Sequence, residues 1–167
     1  MKLPESMSNM CQICLLVKDI RASMDFYASI GIGPFKVYAM DTRDMEGVTY
    51  RGKPADYSLE VAWTQVGPWT LELLQPMRGD NIYKDWMKKH GEGLHHFGIY
   101  LKPEDYADGC KFLESQGCPQ IMGGPINAKD RDGNFDYFDT QEKYGTIFEL
   151  LDMPDDLGEP SYVYPEE

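Results

Sequence analysis

Two stretches of the chain carry the same hydropathic pattern. In the first, the strand-length apolar run QICLLV of residues 12–17 leads through Lys18 and Asp19 into a helix-like stretch, 20–30, that stops at Gly31. In the second, HFGIYL of residues 96–101 leads through Lys102 and Pro103 into a helix-like stretch, 104–116, that stops at Gly117. Each glycine stands where a left-handed residue closes a helix. Strand signals rich in aromatic and β-branched residues follow, at 34–38, 48–50 and 57–64 in the first half and 133–138 in the second. Each half then ends on a near-identical run, LELL at 71–74 and FELL at 148–151. The pattern predicts an α+β fold of tandem βαβββ modules, residues 9–76 and 94–152, joined by a linker helix over 82–90 that carries Trp86. The modules form one domain, residues 1–152, built on a curved mixed sheet.

A duplicated module matters because one copy alone leaves a face of its sheet uncovered, so the two copies curve around a shared space. Side chains alternate along a strand, so Gln12, Cys14 and Leu16 share one face and His96, Gly98 and Tyr100 share the equivalent face. By the same rule Glu72 lies opposite Leu71 and Leu73, and Glu149 lies opposite Phe148 and Leu150. Each carboxylate interrupts an apolar strand with no Lys or Arg beside it, and burying such a charge is costly unless it is paired or bound to a metal. The repeat thus pairs Gln12 with Glu72 and His96 with Glu149, and a pseudo-twofold gathers all four around one point.

One imidazole, two carboxylates and one amide oxygen suit Zn, Ni, Co, Mn or Fe(II), with positions left for water or substrate. A closed structural zinc site would use more sulfur. Taken singly, either glutamate reads as a solvated edge charge and His96 as a satisfied core histidine; their repeat-equivalent positions favour the metal. His95 precedes His96 and is expected on the opposite face, as the alternative ligand, and His90 closes the linker helix in a surface or capping role.

Composition narrows the partners. With 28 acidic against 16 basic residues the formal charge is −12, which opposes nucleic acid, because that binding needs clustered Lys and Arg. No apolar run approaches the roughly 20 residues of a membrane span, and residues 1–10 carry no secretory apolar core, so a cytoplasmic location is expected. Cys11, Cys14, Cys110 and Cys118 read as reduced thiols in or near the core rather than as a CxxC motif. Residues 153–167, acidic and with Pro154, Pro160 and Pro165, read as an extended tail outside the packed fold.

Four stretches, QICLLVKDIRASMDFYASIGIGPF, WTLELLQP, GEGLHHFGIYL and GTIFELLD, resemble the vicinal oxygen chelate superfamily over nearly all of residues 11–152. That superfamily includes glyoxalase I, methylmalonyl-CoA epimerase, extradiol dioxygenases and fosfomycin- and bleomycin-resistance proteins, and the chain looks most like the epimerase branch. The resemblance implies one metal held by Gln12, Glu72, His96 and Glu149. Gln at the first position departs from the His of iron extradiol dioxygenases. It further implies that Glu149 doubles as an acid/base and places a second acid near Asp56, although an Asp after Pro54 is also ordinary turn chemistry. The implied activity is an isomerase, epimerase or lyase that removes a proton beside a carbonyl. Glyoxalase I activity, with glutathione-dependent turnover, is one alternative, and a non-catalytic small-molecule binder on the same fold is another. For a coenzyme A ester only scattered cations are available: Arg43, Arg51, Lys53, Lys88 and Lys89. Trp63, Tyr100 and Tyr137 are expected as pocket walls, and exposed sheet edges imply a homodimer.

Overall fold

The repeat in the sequence is a repeat of hydrogen bonding. The computed structural model describes residues 5–127 and 132–166. Its first half contains β1 (Met10–Leu16), α1 (Ile20–Ser29), β2 (Phe35–Asp41), β3 (Thr49–Tyr50), β4 (Lys53–Pro54), β5 (Ser58–Val66) and β6 (Trp69–Arg78). After α2 (Ile82–His90) come β7 (Gly93–Tyr100), α3 (Pro103–Ser115), β8 (Gln120–Ile126), β9 (Gly133–Phe138), the short α4 (Gln141–Tyr144), β10 (Ile147–Asp152) and β11 (Tyr162–Tyr164). The strands form one sheet in the order β11-β2-β5-β6-β1-β7-β10-β9-β8-β3-β4. In each half the first strand runs parallel to the last, β1 with β6 and β7 with β10, and the halves meet where β1 pairs antiparallel with β7. This is the expected α+β arrangement of two βαβββ modules.

The helices are closed alike at both copies. After α1, Gly31 N–H donates to Ala28 O at 3.0 Å and Ile32 N–H to Tyr27 O at 2.9 Å; after α3, Gly117 N–H donates to Glu114 O at 2.8 Å and Cys118 N–H to Leu113 O at 3.1 Å. Both are Schellman caps, and both glycines take the positive φ that the motif requires, 87° and 73°. Helix α1 packs Ile20 and Met24 on Phe35, Val37 and Leu73, and α3 packs Tyr106 and Leu113 on Ile99, Phe138 and Leu150. Fully burying one such Leu contributes roughly 1.5–3 kcal/mol. The other face of the sheet is shared by both halves and brings Cys14, Leu16, Leu74, Tyr137 and Leu151 into one cluster.

Three features depart from expectation. The strand expected at 48–50 belongs to a hairpin, β3–β4, that leaves its own module and pairs with β8, Thr49 opposite Gly123 and Tyr50 opposite Met122. Strand β8 itself, with its Gly-Gly-Pro, lacks the strand signature. Its glycines serve the crossing, because a Cβ on Gly124 would lie 2.8 Å from Val48 Cα. Finally, the C-terminal stretch is not wholly outside the packed fold: Tyr162–Tyr164 pairs antiparallel with β2, Tyr162 OH donates to Glu60 at 2.9 Å, and the Arg21 guanidinium lies 3.8 Å over the Tyr164 ring. This strand covers the β2 edge, one of the edges behind the dimer expectation. Among the described residues no helix is long and apolar enough to cross a membrane, and all four cysteines are free thiols.

Candidate metal centre

The site lies at the seam between modules. Cys14 stands opposite Glu72 across β1–β6 and opposite His96 across β1–β7; Gln12 stands opposite Gly98, which in turn faces Glu149 across β7–β10. Register alone therefore brings the four sequence-predicted side chains to one place. Gly98 is what lets the strands close there, since a Cβ at that position would meet Gln12 Cβ at 2.7 Å.

All four side chains are buried, from 0 % exposed for His96 to 4 % for Glu72. His96 Nε2 sits 3.2 Å from Glu72 Oε2 and 3.1 Å from Glu149 Oε2. The Gln12 amide nitrogen donates to Glu149 Oε2 at 3.1 Å and lies 3.4 Å from Glu72 Oε2, while its oxygen accepts from Tyr100 OH at 3.0 Å. A flip of this amide would exchange its oxygen and nitrogen, which are placed by the hydrogen-bond network.

The surroundings treat the two carboxylates differently. Glu72 Oε1 accepts a 2.7 Å bond from Trp63 Nε1, and Glu72 also bonds the Cys14 thiol. Glu149 accepts from the Tyr137 hydroxyl, which in turn accepts from Tyr83 OH at 2.8 Å. Burial raises both carboxyls, but the neighbouring His96, with Cys14 and Trp63, brings Glu72 below its ordinary value, whereas Glu149, opposed by the charge of Glu72, stays above it. Burial pulls the His96 imidazole down, yet Glu149 and Glu72 outweigh it and lift His96 to about 9.

His95 is not on the opposite face. Leu15 pairs with Leu94 and Cys14 with His96, so His95 is an extra residue, a β-bulge that breaks the alternation. Its Nδ1 lies 2.8 Å from His96 Nδ1, and its ring packs against Tyr83 and Trp86. Cys14, His95 and His96 could together offer three ligand atoms within 4.8 Å of one another. That trio is turned to other partners, the two Nδ1 atoms to each other and the thiol to Glu72. The quartet instead has Gln12, Glu72 and Glu149 on the wall of a cavity of about 300 Å³. Its nitrogen and oxygen donors fit a hard or borderline divalent cation, and two buried carboxylates facing one imidazole have charge left to balance.

Of the expected walls, Trp63 and Tyr137 line this cavity and Tyr100 stands behind Gln12. Tyr83 and Tyr57, which no repeat or motif marks, line it as well. Asp56 is not brought to the site. It is exposed, ion-paired with Arg78, and no part of the cavity wall; the turn after Pro54 aims it outward. Arg43 is tied to Asp41 at 2.6 Å and Arg51 to Asp85 at 2.8 Å. His90, in the last turn of α2, packs on Trp86 at the surface.

A sequence model of the Glyoxalase/Bleomycin resistance protein/Dioxygenase superfamily matches residues 11–137. The chain belongs to that superfamily. Solved structures resembling it include methylmalonyl-CoA epimerase from Mycobacterium tuberculosis, 16% identical, with a TM-score of 0.63 over 92% of this chain and 94% of that one. Another is Streptomyces coelicolor methylmalonyl-CoA epimerase in complex with 2-nitronate-propionyl-CoA, 20% identical, TM-score 0.62, 88% and 95% covered. A hypothetical protein from Bacillus halodurans is 19% identical, TM-score 0.62, with the same coverage. At these identities the likeness is one of fold. No curated protein matches the sequence.

Proposed function

We propose that this superfamily member is a divalent-metal-dependent enzyme that removes a proton next to a carbonyl of a small substrate held through two neighbouring oxygens. The observation that carries the reading is the convergence of Gln12, Glu72, His96 and Glu149, three of them on the wall of one cavity, with Glu149 alone backed by a pair of phenols. These four residues would hold the cation, which when bound would supply Lewis-acid stabilisation of the charge left on the substrate oxygen as the proton departs.

Glu149 takes the proton. Burial and the charge of Glu72 raise its carboxyl while that of Glu72 is lowered, which makes Glu149 the better proton acceptor of the two. Tyr137 fixes the orientation of the Glu149 carboxylate, and Tyr83 fixes Tyr137. Glu72, bonded by an indole N–H and a thiol, is the static partner. With Asp56 outside the cavity wall and Glu72 held by Trp63 and Cys14, Glu149 acts as the single base among the described residues at the floor, and a single base returns the proton to the face it came from. Such a return moves hydrogen between adjacent carbons and does not invert a centre, so isomerisation is favoured over epimerisation.

Exposed Phe26 and Ile30 on and beside α1 support the homodimer as part of this proposal; a single species of 19.1 kDa in sedimentation at micromolar concentration would argue against it. The test of function is metal content and α-hydrogen exchange together. The full chain should hold one divalent ion per chain by elemental analysis, His96→Ala should lose it, and solvent deuterium should enter an α-hydroxycarbonyl substrate only with metal present. Undiminished metal in His96→Ala would remove the basis of the proposal.

A further inference from the structure

The cavity above the quartet has a one-sided chemistry. Apolar side chains dominate its lining, among them Leu59, Val61, Phe135, Trp63, Met40 and Met153. Methionines are adaptable apolar contacts. Every charged residue among those described as lining it is an acid: Glu72 and Glu149 at the floor, Asp41, and the exposed Asp44. The nearby guanidinium groups do not offset this from within. Arg43 and Arg78 stand outside the lining, bound to Asp41 at 2.6 and 2.8 Å, and Arg78 is shared with Asp56. Asp156 and Glu159 add their charge at Tyr38, whose phenol is raised by burial and by both of them.

A phosphate or a remote carboxylate carried into the cavity would meet an apolar wall with no cation among its described lining residues. Burying an unpaired anion there is strongly unfavourable; Glu72 and Glu149 would be balanced by the cation and Asp41 is balanced by Arg43 and Arg78, so the apolar wall carries most of the penalty. The solved epimerases named above include one bound to a coenzyme A ester. Among its described residues the cavity lining offers no basic patch for the phosphates of such a polyanion. Its size, about 300 Å³, is at the small end for ligand pockets.

We infer that the substrate is an uncharged, mainly apolar α-hydroxycarbonyl compound, with a ring-sized apolar substituent and no phosphate or carboxylate handle. This rests on the reading of Gln12, Glu72, His96 and Glu149 as the metal site. The two oxygens on neighbouring carbons sit at the floor, and the substituent lies against Trp63, Phe135 and Tyr137.

The experiment separates the two layers. Metal content of the full chain is measured first, by elemental analysis of wild type and His96→Ala, and reports on the quartet by itself. Calorimetry on metal-loaded protein then compares 2-hydroxyacetophenone with its para-carboxylate, a pair alike in ring and chelating oxygens, alongside acetoin, benzoin and methylmalonyl-CoA. The neutral ring compound should bind, and the para-carboxylate should bind on the order of tenfold more weakly or worse. Added salt should narrow that gap, as should Asp44→Lys. Lys129→Glu with Arg131→Glu, two and four residues after the lining residue Asn127, should leave neutral binding unchanged. With metal held, equal or tighter binding of the para-carboxylate would overturn the inference. So would failure of every neutral compound, or methylmalonyl-CoA affinity that disappears in the Lys129/Arg131 variant. Absence of metal in wild type would show instead that the reading of the quartet has failed.

Discussion

The two modules contribute one half each to the same centre, and the halves differ in what stands behind them. The first gives Gln12 and Glu72, and Glu72 is held by Trp63 Nε1 and the Cys14 thiol. The second gives His96 and Glu149, backed by His95 Nδ1 and by the Tyr137–Tyr83 pair. An indole N–H at 2.7 Å is a donor that never exchanges its role, so it holds the carboxylate in one orientation and one charge state. A phenol can donate or accept, so it can follow a carboxylate through a change of protonation. Repeat symmetry thus places the four candidate ligands, and on the proposed reading departure from that symmetry divides the labour between them.

The sharpest way to break this comparison is to neutralise each carboxylate in turn. At saturating metal, Glu149→Gln should lower turnover by roughly 10²–10⁴-fold, the share of a positioned acid/base, whereas Glu72→Gln should act mainly on metal affinity. Parallel metal titrations and deuterium-exchange rates tell them apart, and equal profiles would mean that the halves are interchangeable. One step outward, Tyr137→Phe should reduce kcat about tenfold with metal affinity little changed. Trp63→Phe should do the reverse, weakening metal about 10–100-fold. A KM-against-kcat split with a chelator competition reads both.

A smaller effect follows from protons. In metal-free protein His96 is raised from 6.5 to about 9 by the two carboxylates. A group raised on folding adds stability that is complete below its unfolded value and lost as pH climbs through its folded one. The melting temperature of metal-free protein should therefore fall between pH 6.5 and 9, and fall less with metal, which takes the proton's place on His96. A flat profile without metal would contradict the buried His96 pairing. The least effect is expected at Asp56, where Asp56→Asn removes an exposed pair with Arg78. Turnover should hold within about twofold and stability within about 1 kcal/mol; a large loss of turnover with metal retained would restore Asp56 as a second base.

The quartet was legible because its two repeat positions are each filled once per module, by Gln12 and His96 and by Glu72 and Glu149, as polar breaks in apolar runs. What the repeat did not mark was harder to read. Tyr83 lies on α2, which has no counterpart, and nothing about its residue type distinguishes a wall from a helix surface. His95 defeated the alternation rule because the strand bulges there, and a bulge is set by the pairing of Leu15 with Leu94, a tertiary fact. Strand β8 was hidden by glycines that exist for a neighbour's sake, and Tyr162–Tyr164 by the prolines around it. Trp63 was expected as a wall and proves also to be a hydrogen-bond donor to Glu72, a role its aromatic character does not reveal.

The β3–β4 hairpin belongs to the first module by sequence and to the second by hydrogen bonding. Thr49 and Gly123, which also share a side-chain bond, are 74 residues apart in sequence, and the seam holds only two residue pairs. In kinetic terms, closing so long a loop costs chain entropy before two pairs can repay it. Each module's helix-side core, built from nearer contacts, can assemble first. A chain cut between its repeats would yield two halves, neither of which owns all of the wall around the quartet.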